Sequence, residues 1–393
     1  MTGIEDLDQP QRVDFVLAII RGLLAKLGVS EVTPESVIVA PPSRGGRALL
    51  SDGVSFDRFR LRFALKAGFV GYSFDDIAAL TVKEVCEKYV AESYPAVPTV
   101  ALSGDQYGFE PDRKFETHGM DAKDFPICFV LGCGRSGTTL LRVMLNVHEG
   151  LWAPGELHLA NFEGMADRAI NLSPLLRTLL VPEVASRLGE PIESFSETFA
   201  SWESEDLSIS TVYEKLQKAN PDALIVDKTP TYSNNLQALE RIGRQFPNAR
   251  FVYLVRNPHD VIRSLVRTQL YKGAAKQVEP GLNPYQIGEV AWCAHNSNIE
   301  RFLGGIPGER KLTVRYEDLV SDPTEPLTRI CDLLDRTFDV GMVDPYKSQT
   351  GRVALGAGDM TVNFLKTVEN RMPSGAFYPV GEKCRSIASR HGY

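Results

Sequence analysis

Residues 127–141, ICFVLGCGRSGTTLL, run from an apolar stretch into a Gly-rich turn and out into an amphipathic helical pattern that lasts to Val147. A buried strand entering such a turn aims backbone N–H groups and the positive end of a helix at an anion. The glycines, Gly134 and Gly137 among them, allow the backbone to approach phosphate closely, and Thr138 and Thr139 supply hydroxyl donors. Against the spacing G-x-x-x-x-G-K-[ST], Gly132 and Gly137 match, but Thr138 stands where a nucleoside-triphosphate enzyme carries lysine. A kinase or ATPase built this way would lack the charge that neutralises the β- and γ-phosphates.

A second element repeats the design. In residues 253–264, YLVRNPHDVIRS, Arg256 falls at a strand end, Pro258 and Asp260 start a helix, and Ser264 lies further along it. An arginine and a hydroxyl converging on one anion form a clamp for a phosphate monoester. Across residues 251–272 the basic residues Arg256, Arg263, Arg267 and Lys272 face Asp260 alone. An isolated basic helix reads as a solvated face; beside the first loop it reads as a second anion contact. The strand ends in Arg256 and not in an acidic magnesium holder, so the residues favour an anionic donor handled without a metal.

The elements that must position these residues have the pattern of an α/β domain. Short apolar runs at residues 127–131, 223–226, 251–255 and 311–314 are continuous and not alternating, as expected of parallel strands covered on both faces. The expected architecture is a P-loop-like three-layer sandwich with a central parallel sheet over residues 125–393. It is preceded by a small all-α bundle over residues 1–92 and a Pro- and Gly-bearing linker over residues 93–124. Helical patterns cover residues 13–27, 56–69, 75–80 and 82–94.

At 393 residues, 43% hydrophobic and 24% charged, the chain has room for two domains with sizeable cores. Its 43 basic and 50 acidic residues give a net charge of -7, which argues against a chain-wide grip on nucleic acid or anionic lipid. Six scattered cysteines without a C-x-x-C pair or clustered histidines read as reduced thiols with no zinc site. The apolar stretch at residues 13–27 is too short to span a bilayer, and the first residues lack a basic signal-peptide region. These features give the expectation of a cytoplasmic protein.

Residues 134–141 resemble the 5′-phosphosulfate loop of sulfotransferases, and residues 253–258 with Ser264 resemble their 3′-phosphate motif. The two matches stand in the family's order, about 120 residues apart. The resemblance covers roughly residues 125–370 and implies 3′-phosphoadenosine-5′-phosphosulfate as donor, 3′,5′-adenosine bisphosphate as product, and no metal. It assigns donor contacts to Gly134, Arg135, Ser136, Gly137, Thr138, Thr139, Arg256 and Ser264. Residues 227–230 (DKTP) look like the family's Lys-Ser/Thr-Pro segment, so Lys228 joins Arg135 in supplying catalytic charge. Residues 315–319 (RYEDL) look like the segment whose tyrosine, here Tyr316, lies near the nucleotide. Trp292 and Asn296 resemble an adenine-side helix, with core burial an equal alternative for Trp292. The glycine-rich end loop departs from the small-molecule enzymes: Gly358 and Lys366 stand where Arg-Lys-Gly is usual.

Sulfuryl transfer is an in-line displacement that needs a base on the acceptor and cations on the transferring group. Pro230 occupies the position where many family members carry a catalytic histidine. Residues 153–159, APGELHL, therefore become the source of the base. They are similar to the Gly-Glu of protein-tyrosine sulfotransferases and to sulfotransferase domains embedded in polyketide synthases of terminal-alkene pathways. Glu156 is the expected base, strengthened by partial desolvation, with His158 as acceptor contact or alternative base.

Residues 10–92 resemble an acyl- or peptidyl-carrier fold, with Ser55 at the attachment position. Val54 replaces the usual Asp, Phe56 the usual Leu, and Arg58, Arg60, Arg62 and Lys66 make the second helix basic where carriers are acidic. The expectation is a degenerate carrier that docks an acidic true carrier; a generic helical bundle with a solvated basic face is the alternative. Together these readings give a sulfotransferase acting on a hydroxyl or amine of a carrier-tethered polyketide or nonribosomal-peptide intermediate. The alternatives are a sulfotransferase for a free small molecule or sugar, a nucleotide kinase, and a non-catalytic nucleotide-binding protein. No nucleic-acid or membrane partner is expected.

Overall fold

The computed structural model describes residues 8–29, 31–38, 49–50, 59, 74–77, 80–111, 121–347 and 378–393. Two compact units emerge. One comprises residues 1–102, 262–288 and 373–380; the other comprises residues 103–261, 289–372 and 381–393. The attachment-position Ser55, the basic residues Arg58, Arg60, Arg62 and Lys66, and the end-loop residues Gly358 and Lys366 lie outside the described residues.

In the first unit, α1 (Gln9–Ala25) begins at Asp8, whose side chain and that of Gln11 cap each other's backbone N–H groups. That reciprocal cap starts the helix before the periodic apolar residues on which the sequence expectation rested. α1 buries Val16, Ile20, Leu23 and Leu24, a 3.6-period stripe. α2 (Val82–Ser93) is capped in the same way by Thr81 and Glu84 and buries Val85, Cys86, Tyr89 and Val90. The two helices share a core with Ile38, Leu50, Phe59 and Ile77. Part of the chain after residue 261 belongs to this unit too: Gln269 Nε2 donates to Ser93 Oγ at 2.9 Å, and Lys272 pairs with Glu92 at 2.8 Å.

The second unit is built on five parallel strands, β1 (Cys128–Leu131), β2 (Leu151–Trp152), β3 (Leu224–Lys228), β4 (Arg250–Val255) and β5 (Lys311–Arg315), in the order β2-β3-β1-β4-β5. The continuous hydrophobicity of β1 has the expected cause. Cys128 and Val130 enter one core with Leu141, Val226, Val252 and Leu254. On the opposite face Phe129 stacks on Phe251 at 6.0 Å and meets Tyr213, Tyr232 and Phe246. Four strands match the apolar runs of the sequence. β2 was not foreseen, because two residues cannot establish a period.

Helices used below are α3 (Thr138–Leu145), α4 (Met165–Asn171), α5 (Pro174–Leu188), α6 (Ile209–Ala219), α7 (Pro258–Arg267), α8 (Pro284–Gly304) and α9 (Glu382–Arg390). With every strand pointing the same way, the residues that follow β1, β2, β3, β4 and β5 all emerge at one edge of the sheet. Ligand sites of open α/β sheets form at that carboxyl edge. All six cysteines are free and buried. Among the described residues no helix is long and apolar enough to cross a membrane, and no three metal-binding side chains gather.

Candidate active site

The turn from β1 into α3 is shaped by close approaches. A Cβ on Gly132 would stand 2.7 Å from the Leu254 carbonyl oxygen of β4. Gly137, the N-cap of α3, has φ 93°, and a Cβ there would stand 2.2 Å from the Tyr316 ring. Both positions therefore require glycine. Between them Arg135 adopts φ 71°, a left-handed conformation that is uncommon outside glycine and occurs at ligand-holding turns. Thr138 and Thr139 open the helix and are buried.

Arg256, directly after β4, is fixed against this turn. Its Nη1 donates to the Arg135 carbonyl at 3.3 Å, its guanidinium lies 4.1 Å from the centroid of the Tyr316 ring, and Asp260 approaches at 3.7 Å. Two buried polar atoms here have no hydrogen-bond partner among the described residues: Ser136 Oγ and Arg256 Nε. Buried donors left unpaired are costly and call for an oxygen-rich ligand. That donor set, beside a helix N-terminus, fits a phosphate or phosphosulfate group.

After β2 and at the end of β3 lies a charged cluster. Lys228 Nζ donates to Glu156 Oε1 at 2.5 Å, and His158 Nε2 stands 3.4 Å from Glu156 Oε2. The Lys228 side chain is fully buried, and Glu156 and His158 keep 15% and 6% of their exposure, so the pairing is only weakly screened by solvent. Burial alone would raise the Glu156 pKa. Lys228 and His158 outweigh it and hold the carboxyl at about 2, below its ordinary 4.5. Burial lowers the Lys228 pKa against the opposing pull of Glu156. His158 Nδ1 lies 3.5 Å from Thr231 Oγ1, which accepts from Asn161 at 2.6 Å. Beneath the cluster, Glu183 accepts the Gly155 N–H through both oxygens, at 2.8 and 2.9 Å, and Arg142 donates to the Ala153 carbonyl at 3.4 Å.

Residues 126–340 match the sulfotransferase family. The chain belongs to that family. Among solved structures, this sulfotransferase is similar to the sulfotransferase domain of the curacin biosynthetic pathway, with 33% identity and a TM-score of 0.62, covering 69% of this chain and 99% of that one. It is likewise similar to the sulfotransferase domain of the Synechococcus PCC 7002 olefin synthase, with 30% identity and a TM-score of 0.61, covering 72% and 99%. Nodulation protein NoeE of Sinorhizobium fredii is 29% identical over 62% of this chain. The chain spans 58% of NoeE and 27% of an uncharacterized protein of Aquifex aeolicus that is 25% identical.

For this sulfotransferase the structure brings the sequence-predicted residues into two groups at the sheet edge. Gly134, Arg135, Ser136, Gly137, Thr138, Thr139, Arg256 and Tyr316 form one; Glu156, His158 and Lys228 form the other. Ser264 lies on α7, in the part of that helix assigned to the first compact unit. Trp292 and Asn296 are core residues of α8. The Trp292 indole donates to the Arg256 carbonyl at 3.3 Å, and Asn296 bridges the Tyr253 hydroxyl and the Trp292 carbonyl. The expected gain in Glu156 basicity from desolvation is reversed in this arrangement, because the Lys228 ammonium is in direct contact.

The sequence reading overlooked Arg142, Glu183 and Tyr232. Arg142 had a signal: it interrupts the apolar run of residues 140–145, and it is 1% exposed. Glu183 and Tyr232 had none, since they reach the site only through tertiary packing.

Proposed function

We propose that this sulfotransferase moves a sulfuryl group from 3′-phosphoadenosine-5′-phosphosulfate to a hydroxyl or amine of a carrier-tethered natural-product intermediate. The observation that carries the reading is the buried Lys228–Glu156–His158 cluster at the sheet edge that also bears the phosphate-binding turn. The likeness to pathway-embedded curacin and olefin synthase domains supports the substrate class.

The donor supplies a sulfuryl group activated by its anhydride link to phosphate. Ser136, the start of α3 and Arg256 would hold its phosphate oxygens, and Lys228 would neutralise the charge left on the departing phosphate. A Lys228 ammonium engaged there no longer holds down the Glu156 carboxyl. Burial, the largest influence on that group, then raises its proton affinity. Glu156 takes the acceptor proton as the new bond to sulfur forms, with His158 beside it to orient the acceptor or pass the proton on. The resting pair thus keeps the base masked until an anion draws Lys228 away.

On this reading, which rests on the sequence resemblance of residues 10–92, the N-terminal segment serves as a degenerate carrier that docks the acceptor-bearing carrier. A phosphopantetheine-sized mass gain on Ser55, after incubation with a phosphopantetheinyl transferase and coenzyme A, would sink that part of the proposal. The principal test is donor-dependent mass gain across a panel of hydroxyacyl and peptidyl groups, each offered on a carrier and as the free acid. Gain on the carrier-bound forms supports the proposal; gain on free acids alone points to a free small-molecule acceptor. Thermal stabilisation by 3′,5′-adenosine bisphosphate in EDTA is expected, and stabilisation only by ATP with magnesium would favour a kinase.

A further inference from the structure

Residues 155–159 belong to no helix or strand, yet side chains from elsewhere bind their backbone and that of Ala160. Besides the Gly155 N–H on Glu183 of α5, the Leu157 carbonyl accepts from Arg168 Nη2 of α4 at 3.2 Å. The His158 N–H makes a longer contact, 3.5 Å, to Thr229 Oγ1. The N–H groups of Leu159 and Ala160 both donate to one atom, the Tyr232 hydroxyl oxygen, at 3.2 and 3.3 Å. A buried loop must satisfy its polar backbone in some such way.

What this hold enforces is unusual. His158 has φ 49°, in the left-handed region that only surrounding structure can impose on a residue with a side chain. Tyr232 acts immediately after that turn. Its own proton goes to Asp227 Oδ2 at 2.7 Å, which leaves the hydroxyl lone pairs for the two loop N–H groups. Asp227 is buried in β3 next to Lys228 and also accepts from Thr229 Oγ1 at 2.8 Å and from the Tyr213 hydroxyl. The Tyr213 and Tyr232 hydroxyls are 3.2 Å apart. Both tyrosines bond to Asp227, and only Tyr232 bonds to the loop.

We infer that Tyr232, oriented by Asp227, is a positioning residue of the reaction. By accepting two successive peptide N–H groups, its hydroxyl fixes the left-handed turn at His158 that sets the imidazole beside the Glu156 carboxylate. The catalytic consequence rests on the reading of Glu156 and His158 as the proton-handling pair; the geometric hold does not. Asp227 thereby ties the backbone of the loop to the strand that carries Lys228.

Tyr232→Phe and Tyr213→Phe separate this role from the general cost of losing a buried hydroxyl. The full chain, labelled with 15N-histidine, is followed through its imidazole resonances, with the His158 signal assigned by its disappearance in His158→Gln. Tyr232→Phe is expected to move the His158 ring resonances. It should also lower turnover about 100-fold, the effect of a misplacement near 1 Å, while affinity for 3′,5′-adenosine bisphosphate holds. Tyr213→Phe should leave the His158 signals in place and turnover within about threefold, since its hydroxyl lies one bond further from the loop. Unmoved His158 resonances in a cooperatively folded Tyr232→Phe protein overturn the inference, as does an equal shift in Tyr213→Phe. A ring shift with full turnover overturns the catalytic role of the Glu156–His158 pair instead. Should Tyr232→Phe fail to fold, Asp227→Asn, which keeps side-chain volume but removes the charge that orients Tyr232, is expected to move the same signal.

Discussion

The glycine-rich turn after β1 and the Glu156 loop leave the same edge of one sheet, and they are held in opposite ways. The turn between β1 and α3 is shaped by what is absent: Gly132 and Gly137 lack the Cβ atoms that would strike Leu254 and Tyr316. The Glu156 loop contains one glycine in its bonded span, and that residue is held through its N–H, by Glu183. Its shape comes from groups added by α4, α5 and the residues after β3. A backbone shaped by omission writes its geometry into its own sequence, whereas one shaped by distant side chains does not.

Replacements at the two regions should differ in kind. Glu156→Gln, which keeps the side chain's size, is expected to reduce turnover by about 10²–10⁴, the range of general-base catalysis, with affinity for 3′,5′-adenosine bisphosphate unchanged by calorimetry. Full activity in that variant would remove Glu156 as base.

Lys228→Met should cost about 3–5 kcal/mol at neutral pH in denaturant titration, because it strands a buried carboxylate. Its pH dependence sharpens the contrast. In the native protein the Glu156 pKa is depressed from 4.5 to about 2, so its contribution to stability is complete above pH 4.5 and is lost as pH falls towards 2. Without Lys228, burial is opposed by His158 alone, and the folded-state pKa of Glu156 rises. The loss of stability between pH 4.5 and 2 should then be smaller in the variant than in the parent.

Gly137→Ala should lower stability by about 1–3 kcal/mol through its clash with the Tyr316 ring and its φ of 93°, and should abolish stabilisation by 3′,5′-adenosine bisphosphate in a thermal melt. Tyr316→Leu removes the ring under Arg256 and is expected to weaken that ligand by about 0.5–2 kcal/mol, measured by calorimetry. If Gly137→Ala impaired turnover alone and left binding intact, the division between a binding turn and a reaction loop would fail.

The legibility of the chain follows the same line. The central strands could be read because each is buried on both faces, and the turn because glycine spacing and strand-to-helix polarity are local. Lys228 and Arg256 could be placed because each ends, or directly follows, a readable strand. Glu156 could be named, but its ionisation could not: that depends on an ammonium 72 positions away in sequence. β2 is too short to leave a pattern, and Tyr232 resembles any core tyrosine until its hydroxyl is seen to bridge Asp227 and the loop. The grouping of residues 262–288 with the N-terminal helices is likewise invisible in composition, since it depends on contacts such as Gln269 with Ser93.

Tyr393 also bears on the segment that carries Arg256. The Tyr393 hydroxyl donates to Glu317 Oε2 and to the Val255 carbonyl, and the other oxygen of Glu317 accepts the Asn257 N–H at 3.0 Å. Arg256 lies between those two backbone contacts. Loss of that one hydroxyl, as in Tyr393→Phe, would therefore loosen the segment that presents the guanidinium, with the sheet and both loops still covalently whole. The placement of Arg256 thus depends on a hydroxyl that approaches the end of β4 from 138 positions away in sequence.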